Sequence, residues 1–375
     1  MITLTALRAA LAPALTAPAP TAPHSPADTP DDVGLPLVAQ PEGGPLPALR
    51  GWETGAAVAV GTSGSTGTPK VVLLSAEALV TSARLTHERL GGPGTWLLAL
   101  PTTHIAGIQV LVRSVVAGTE PGVTDLSGGF RASGFATAAQ AVLASPGRRY
   151  TALVPTQLGR LVATEGPGLA ALRQFDAVLL GGAATPHALL ERARRLGVRV
   201  VTTYGMSETS GGCVYDGLPL DGVHVRLVDG RIEVRGPVLA LGYQGGEPFG
   251  EWFRTGDLGR VRPDGTLEVL GRADDVIISG GEKIAPLRVE RALAAQAGVR
   301  EACAVPLADP EWGHVVAAAV VPEDFGNPPD EAALRAAVGE AVGRFAIPKR
   351  VVFVRELPLR GPGKVDRRAV ANSFE

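Results

Sequence analysis

Lysine is scarce in this chain. It occurs only as Lys70, Lys283, Lys349 and Lys364, in a sequence whose default cation is arginine. Three of the four sit in or beside glycine-rich segments, and the segment ending at Lys70 carries the most chemistry: Gly61-Thr62-Ser63-Gly64-Ser65-Thr66-Gly67-Thr68-Pro69-Lys70. Glycines let the backbone approach a ligand closely and adopt positive φ. Hydroxyls and free backbone N–H groups can donate to phosphate oxygens, and Lys70 can neutralise charge as a compact cation. The spacing is not that of a Walker A loop, because no Gly-Lys-Ser/Thr closes it and no helix follows directly. The competing reading is a Gly/Ser/Thr linker, but a linker seldom lies between two apolar strands and ends in Pro-Lys.

The elements that must hold such a loop follow from the apolar pattern. Ala56 to Val60 and Val71 to Leu74 read as strands flanking it, and Ser75 to Leu90 as a helix with Ser75 as N-cap and Glu77 behind it. Trp96 to Leu100, Ala152 to Val154, Ala177 to Leu180 and Val198 to Thr202 read as buried strands. Helical segments separate them: Ile108 to Val116, Ala136 to Ala144, Pro155 to Ala163 and Pro186 to Leu196. This alternation predicts an α/β fold with a largely parallel sheet. After Gly222 the texture changes to short alternating strands with Asp-Gly turns, which predicts a small antiparallel β region. From Asp275 helices and strands mix again, as expected of a small α+β domain. The expected division is 1–271, a linking segment 272–276, and 277–375. Ala17 to Pro47 is dense in Pro, Ala, Gly and Asp and is expected to hold little regular structure.

Composition excludes several classes. A formal net charge of −2 gives no footprint for nucleic acid or an anionic membrane. Two cysteines far apart, Cys213 and Cys303, suggest a reducing, cytoplasmic setting and no disulfide framework. No apolar run approaches the ~20 residues of a membrane span. The Ala/Leu-rich start lacks a basic n-region and is interrupted by Arg8 and Pro13, so it reads as a short helix and not as an export signal.

The segment from Gly61 to Lys70 resembles the signature loop of the adenylate-forming superfamily, which includes acyl-CoA synthetases, nonribosomal-peptide adenylation domains and firefly-type luciferases. Further segments resemble that family in the same order. The resemblance implies that Thr62, Ser63, Ser65, Thr66, Gly67, Thr68 and Lys70 bind the phosphates of ATP. Leu180-Gly181-Gly182-Ala183 looks like the glycine turn against adenine, which would place Gly182 there. Thr203-Tyr204-Gly205-Met206-Ser207-Glu208-Thr209 is similar to the motif in which Tyr204 would stack on adenine and Glu208 would help hold Mg²⁺, with Gly205, Met206 and Ser207 beside the nucleotide. An aromatic face and a carboxylate suit those tasks. Asp257, in Trp252 to Gly259, would accept from the ribose hydroxyls. Arg272 would contact ribose or phosphate, Asp274 would be a hinge for domain rotation, and Ser279, Gly280 and Gly281 would face coenzyme A. Lys364, in Gly361 to Arg367, would stabilise charge on the pentavalent phosphorus. As isolated segments, most of these read equally well as turns, linkers or a basic tail.

Leu100-Pro101-Thr102-Thr103-His104 and its continuation through Gln109 to Arg113 narrow the resemblance to the 2-succinylbenzoate–CoA ligases of menaquinone biosynthesis. That implies ATP, Mg²⁺ and coenzyme A, an aromatic carboxylate substrate and a possible homodimer. His104 would sit by the acyl site, as a catalytic or as a structural residue. Arg113 would pair with a substrate carboxylate or lie as a surface charge on its helix. Another acyl- or aryl-CoA ligase, an adenylation domain loading a carrier protein, and an inactive nucleotide binder are the alternatives. The chain departs from the superfamily in the short stretch before Gly61.

Overall fold

The computed structural model describes residues 2–16, 36–39, 49, 51–62, 70–359 and 364–374. Five of the expected phosphate-binding residues, Ser63, Ser65, Thr66, Gly67 and Thr68, lie outside that set. The chain falls into two compact units. The first comprises Met1–Gly182, Ala193–Arg226 and Glu233–Thr255; the second comprises Ala183–Arg192, Leu227–Ile232 and Gly256–Glu375.

The chain opens with helix α1 (Leu4–Thr16), which runs through Pro13 and buries Leu7, Leu11 and Ala14 along one face. Arg84 caps its end by donating to the Leu15 carbonyl at 3.0 Å. Strand β1 (Leu37–Ala39) lies where little regular structure was expected. It pairs in parallel with β2 (Val58–Thr62), which continues antiparallel into β3 (Lys70–Leu74). Helix α2 (Ala76–Arg89) begins as read: Ser75 accepts from the Ala78 amide at 3.1 Å.

A seven-stranded sheet follows. Its early elements are β4 (Gly94–Leu98), α3 (Ile105–Ala117), β5 (Gly122–Val123), α4 (Ala132–Ala144) and β6 (Arg148–Leu153). The chain continues through α5 (Pro155–Val162), α6 (Pro167–Leu172), β7 (Ala177–Leu180), α7 (His187–Arg195), β8 (Val200–Met206), β9 (Gly211–Tyr215) and β10 (Leu218–Pro219). The strand order is β10-β9-β8-β7-β6-β4-β5. The pairs from β5 through β8 are parallel, as predicted, and β9 returns antiparallel. Because β4 lies between β5 and β6, consecutive connections leave it in opposite directions. Such a reversal opens a crevice outside the carboxyl ends of the strands, where α/β sheets bind ligands. Trp96, Tyr150, Phe135 and Phe175 are fully buried around this sheet, each contributing about 1.5–3 kcal/mol by area.

The expected small antiparallel region is a four-stranded sheet of order β11-β12-β14-β15. It contains β11 (His224–Val228), β12 (Arg231–Arg235), β14 (Phe253–Val261) and β15 (Leu267–Arg272), while β13 (Gly242–Tyr243) joins β3 instead. After β15 come β16 (Ile277–Ser279), β17 (Glu282–Ile284), α8 (Pro286–Ala294), β18 (Val299–Asp309), β19 (Gly313–Pro322), α9 (Glu331–Ala341), β20 (Arg350–Phe353) and α10 (Arg367–Asn372). Both faces of β19 are buried. Val316, Ala318 and Val320 pack with Val289, Leu293, Leu334 and Val338 on one side. Ala317, Ala319 and Val321 pack with Cys303, Val370 and Phe374 on the other. That explains why its sequence shows an unbroken apolar run and no alternation.

Candidate active site

In the first unit the expected residues gather at the carboxyl ends of the parallel strands. His104 follows β4 and is the N-cap of α3, half-buried, with no capping bond from its side chain. Its turn is tight: a Cβ on Gly107 would collide with the Pro101 carbonyl. Gly182 follows β7 with φ of 81°, and a Cβ there would touch Val154 at the end of β6. Tyr204, Gly205 and Met206 do not follow β8, as their motif suggested, but form its last three residues. The strand tolerates Gly205 because the register shifts there and the backbone passes so close to Gly211 that any side chain would collide. Ser207 is buried and Glu208 half-buried in the 3-10 turn Ser207–Thr209, which Thr209 secures by accepting from the Met206 amide at 2.9 Å.

Thr62 and Lys70 face each other across β2 and β3, and the Thr62 hydroxyl donates to the Lys70 carbonyl at 3.1 Å. That bond ties the end of β2 to the start of β3. The Lys70 ammonium lies 4.7 Å from the centroid of the Tyr243 ring, and the Tyr243 hydroxyl donates to Glu208 Oε1 at 2.7 Å. Tyr243 was not among the expected residues. Its place is set by pairing of β13 with β3, Tyr243 opposite Val72, a contact between segments far apart in sequence. Close by, Glu53 accepts from the Gly245 amide at 2.7 Å and fixes the loop after β13.

Arg113 is not a surface charge. It is 3% exposed within α3. Its Nη2 donates to the Tyr215 hydroxyl at 3.3 Å, and its guanidinium lies 5.0 Å from the Trp96 ring. Its Nε has no partner and no carboxylate pairs with it among the described residues. Burial pulls its pKa down, with Tyr215 opposing. Trp96 Nε1 donates to His87 Nε2 at 3.2 Å, and Thr86 shares a 2.9 Å hydrogen bond with Tyr215. Burial first, and Arg113 second, hold His87 down to about 4.

This gives a pH dependence whose sign is fixed. A histidine with a depressed folded pKa binds fewer protons folded than unfolded, so stability is full above about pH 6.5 and falls as pH drops towards 4. Between pH 8 and pH 5 the expected loss from His87 is about 2 kcal/mol. Urea unfolding at the two pH values measures it. His87→Gln, which keeps an acceptor for Trp96, should lose that part of the difference; an equal difference in the variant assigns it to other groups.

In the second unit, Asp257 lies inside β14 and not in a turn, directly opposite Arg272 of β15. The Arg272 guanidinium lies 3.5 Å from Asp257 and 3.5 Å from Asp274, passing over Gly256, whose missing side chain leaves the room. Three expected residues are therefore together. Ser279 is buried at the end of β16, whereas Gly280 and Gly281 are exposed and form the two-residue turn to β17 with φ of 56° and 85°. That pair of positive φ values requires glycine or a rare substitute. Lys364 is exposed. It stands on a stem formed by the Leu359–Val365 bridge and the bond from the Asp366 amide to the Pro358 carbonyl at 2.8 Å. Cys213 and Cys303 are buried, and burial pushes both thiols up to about 12, which leaves them unreactive.

The family model for AMP-binding enzyme matches residues 52–244, and that for the AMP-binding enzyme C-terminal domain matches 288–364. The chain belongs to the AMP-binding enzyme family. A Mycobacterium tuberculosis protein named "Probable 2-succinylbenzoate–CoA ligase" is 48% identical over 85% of this chain and 84% of its own length. Among solved structures, the o-succinylbenzoate CoA synthetase of Bacillus subtilis in complex with its acyl-adenylate intermediate superposes with a TM-score of 0.71 at 29% identity, over 84% of this chain and 69% of that one. The same Bacillus protein has been solved with ATP and magnesium ion. The amide bond synthetase McbA of Marinactinospora thermotolerans gives 0.76 at 29% identity, over 86% of this chain and 70% of that one.

Among the described residues no three His, Cys, Asp or Glu side chains converge as a metal cage. A lone carboxylate such as Glu208 fits Mg²⁺, which keeps several waters and takes its other ligands from substrate phosphates.

Proposed function

We infer that this AMP-binding enzyme is an ATP-dependent acid–thiol ligase of menaquinone biosynthesis that converts 2-succinylbenzoate to 2-succinylbenzoyl-CoA through an acyl-adenylate. The observation that carries the choice of substrate, beside the 48% identity to a relative of that name, is Arg113. A buried guanidinium without a carboxylate of its own is costly, and 2-succinylbenzoate brings two carboxylates, of which adenylation consumes one. Arg113 receives the other.

In the first half-reaction an oxygen of the aliphatic carboxylate attacks the α-phosphorus, and the bond to pyrophosphate breaks. Lys70 and the loop before it hold the phosphates, Glu208 would hold a magnesium ion, which would supply neutralising charge there, and Lys364 stabilises the charge on the pentavalent phosphorus. Tyr204 and Gly182 bound the adenine, with Gly205, Met206 and Ser207 beside them. Asp257 accepts from the ribose hydroxyls and Arg272 contacts ribose or phosphate. His104 shapes the acyl site. In the second half-reaction the coenzyme A sulfur attacks the acyl carbon, AMP leaves, and the thiol proton passes to solvent. Asp274, in the segment 272–276, is the hinge between the two steps, and the exposed Gly280-Gly281 turn faces coenzyme A. Two buried, unreactive cysteines support a chemistry without a protein nucleophile, in a cytoplasmic setting.

The test is AMP and thioester formation from ATP, Mg²⁺ and coenzyme A with 2-succinylbenzoate, benzoate and short fatty acids compared. Product with 2-succinylbenzoate alone is expected. Equal rates with benzoate remove the assigned substrate. AMP release that needs an amine in place of coenzyme A moves the chain towards the amide-forming relatives, of which McbA is one.

A further inference from the structure

Lys364 is three residues before Arg367, the first residue of α10. Asp366 between them caps that helix, accepting from the Arg368 and Ala369 amides at 3.1 Å each. The Arg367 guanidinium is then held from three sides. It grips Glu290 of α8 with both terminal nitrogens, Nη1 to Oε1 at 2.5 Å and Nη2 to Oε2 at 3.1 Å. Its Nη1 also donates to the Ala304 carbonyl of β18 at 2.7 Å, and its Nε lies 3.4 Å from Asp275 Oδ2. Glu290 is itself fixed, because Oε1 accepts from the Ala304 amide at 2.9 Å. Burial opposes the charge on Arg367, but Glu290 and Asp275 outweigh it and raise its pKa. A two-pronged arginine–carboxylate pair fixes direction as well as distance.

Asp275 is the neighbour of Asp274. One side chain therefore joins the root of the Lys364 stem to the segment assigned as the hinge. We propose that Arg367 is a positioning residue that registers Lys364 against the hinge, so that the lysine reaches the α-phosphate only when the segment at Asp274–Asp275 adopts its adenylating arrangement. The proposal rests on the reading of Lys364 and Asp274 given above. It assigns to Arg367 and Asp275 an effect on the first half-reaction and none on the second.

The experiment separates the half-reactions in the full-length chain. Adenylation is read as acid-dependent ATP–pyrophosphate exchange, and thioester formation as coenzyme A consumption of synthetic acyl-adenylate. Asp275→Asn leaves the Glu290 pair intact and should keep the melting temperature while lowering exchange about tenfold. Arg367→Lys should lower exchange about a hundredfold, the scale of an ångström's misplacement. Thioester formation should match wild type in Asp275→Asn. Parallel loss of both half-reactions, or unchanged exchange in Asp275→Asn, overturns the proposal and leaves Arg367 as a structural clamp. Wild-type exchange with 2-succinylbenzoate tests the assigned substrate separately; with any other acid that supports exchange the comparison of variants reads the same. Retained exchange in Lys364→Ala removes the lysine from the step, and the positioning role with it.

Discussion

Lys364→Ala should lower pyrophosphate release by roughly three orders of magnitude, the scale expected when a charge aimed at a developing anion is removed from a reaction centre. The fold should not respond. Lys364 is exposed, and the stem beneath it is held by the Leu359–Val365 bridge and by Asp366, none of which the substitution touches. Thermal unfolding beside single-turnover pyrophosphate release makes both measurements on one sample. Lys349→Ala is the control, an exposed lysine elsewhere in the same unit, and should behave as wild type. Normal pyrophosphate release in Lys364→Ala would take the residue out of the mechanism, while loss of activity together with early unfolding would make it structural.

The second large effect has opposite signs in two measurements. Arg113→Met should reduce kcat/KM for 2-succinylbenzoate by about a hundredfold, since a charge-assisted pair to a carboxylate in a dry site is worth 2–5 kcal/mol when broken. Stability should hold or rise, by about 1–3 kcal/mol, because the variant replaces a buried charge that lacks a counter-ion among the described residues with an apolar side chain of similar length. The loss of one 3.3 Å bond to Tyr215 is a small debit against that. Benzoate, which has neither the aliphatic carboxylate nor a second one, should give no product with wild type or variant. A marked loss of stability, with kcat/KM for 2-succinylbenzoate unchanged in the fraction that stays folded, would mean that Arg113 serves the packing of Trp96 and Tyr215 and not the substrate.

The sequence made some of this legible for local reasons. Ser75 was readable as an N-cap because a cap is decided within three residues. The limits of β7 were readable because Ala177–Leu180 is an apolar run between turn residues. Glycine argues against a strand through Tyr204-Gly205-Met206, and only the close passage of Gly211 in β9 gives the reason that the strand continues there. Asp257 lies within β14 although a glycine precedes it, and the place of Gly256 is explained by the Arg272 guanidinium that crosses it. The interior place of Arg113 does have a sequence signal. Val110, Leu111, Val112 and Val115 surround it, so α3 is apolar on every face, and a helix of that kind lies in the interior. Tyr243 had none. Its partners Lys70 and Glu208 are brought to it by strand pairing that no local pattern encodes.

The placement of that tyrosine has a consequence for how the site waits for its substrate. Lys70 and Glu208 are opposite charges that could seek one another, and on the proposed function a direct pair would have to be broken each time phosphate and magnesium arrived. The aromatic ring stands under the ammonium at 4.7 Å, and its hydroxyl occupies Oε1 of the carboxylate at 2.7 Å. On the function proposed above, Tyr243 would work as an insulator between two poles, each kept oriented by a single contact that the incoming ligand replaces.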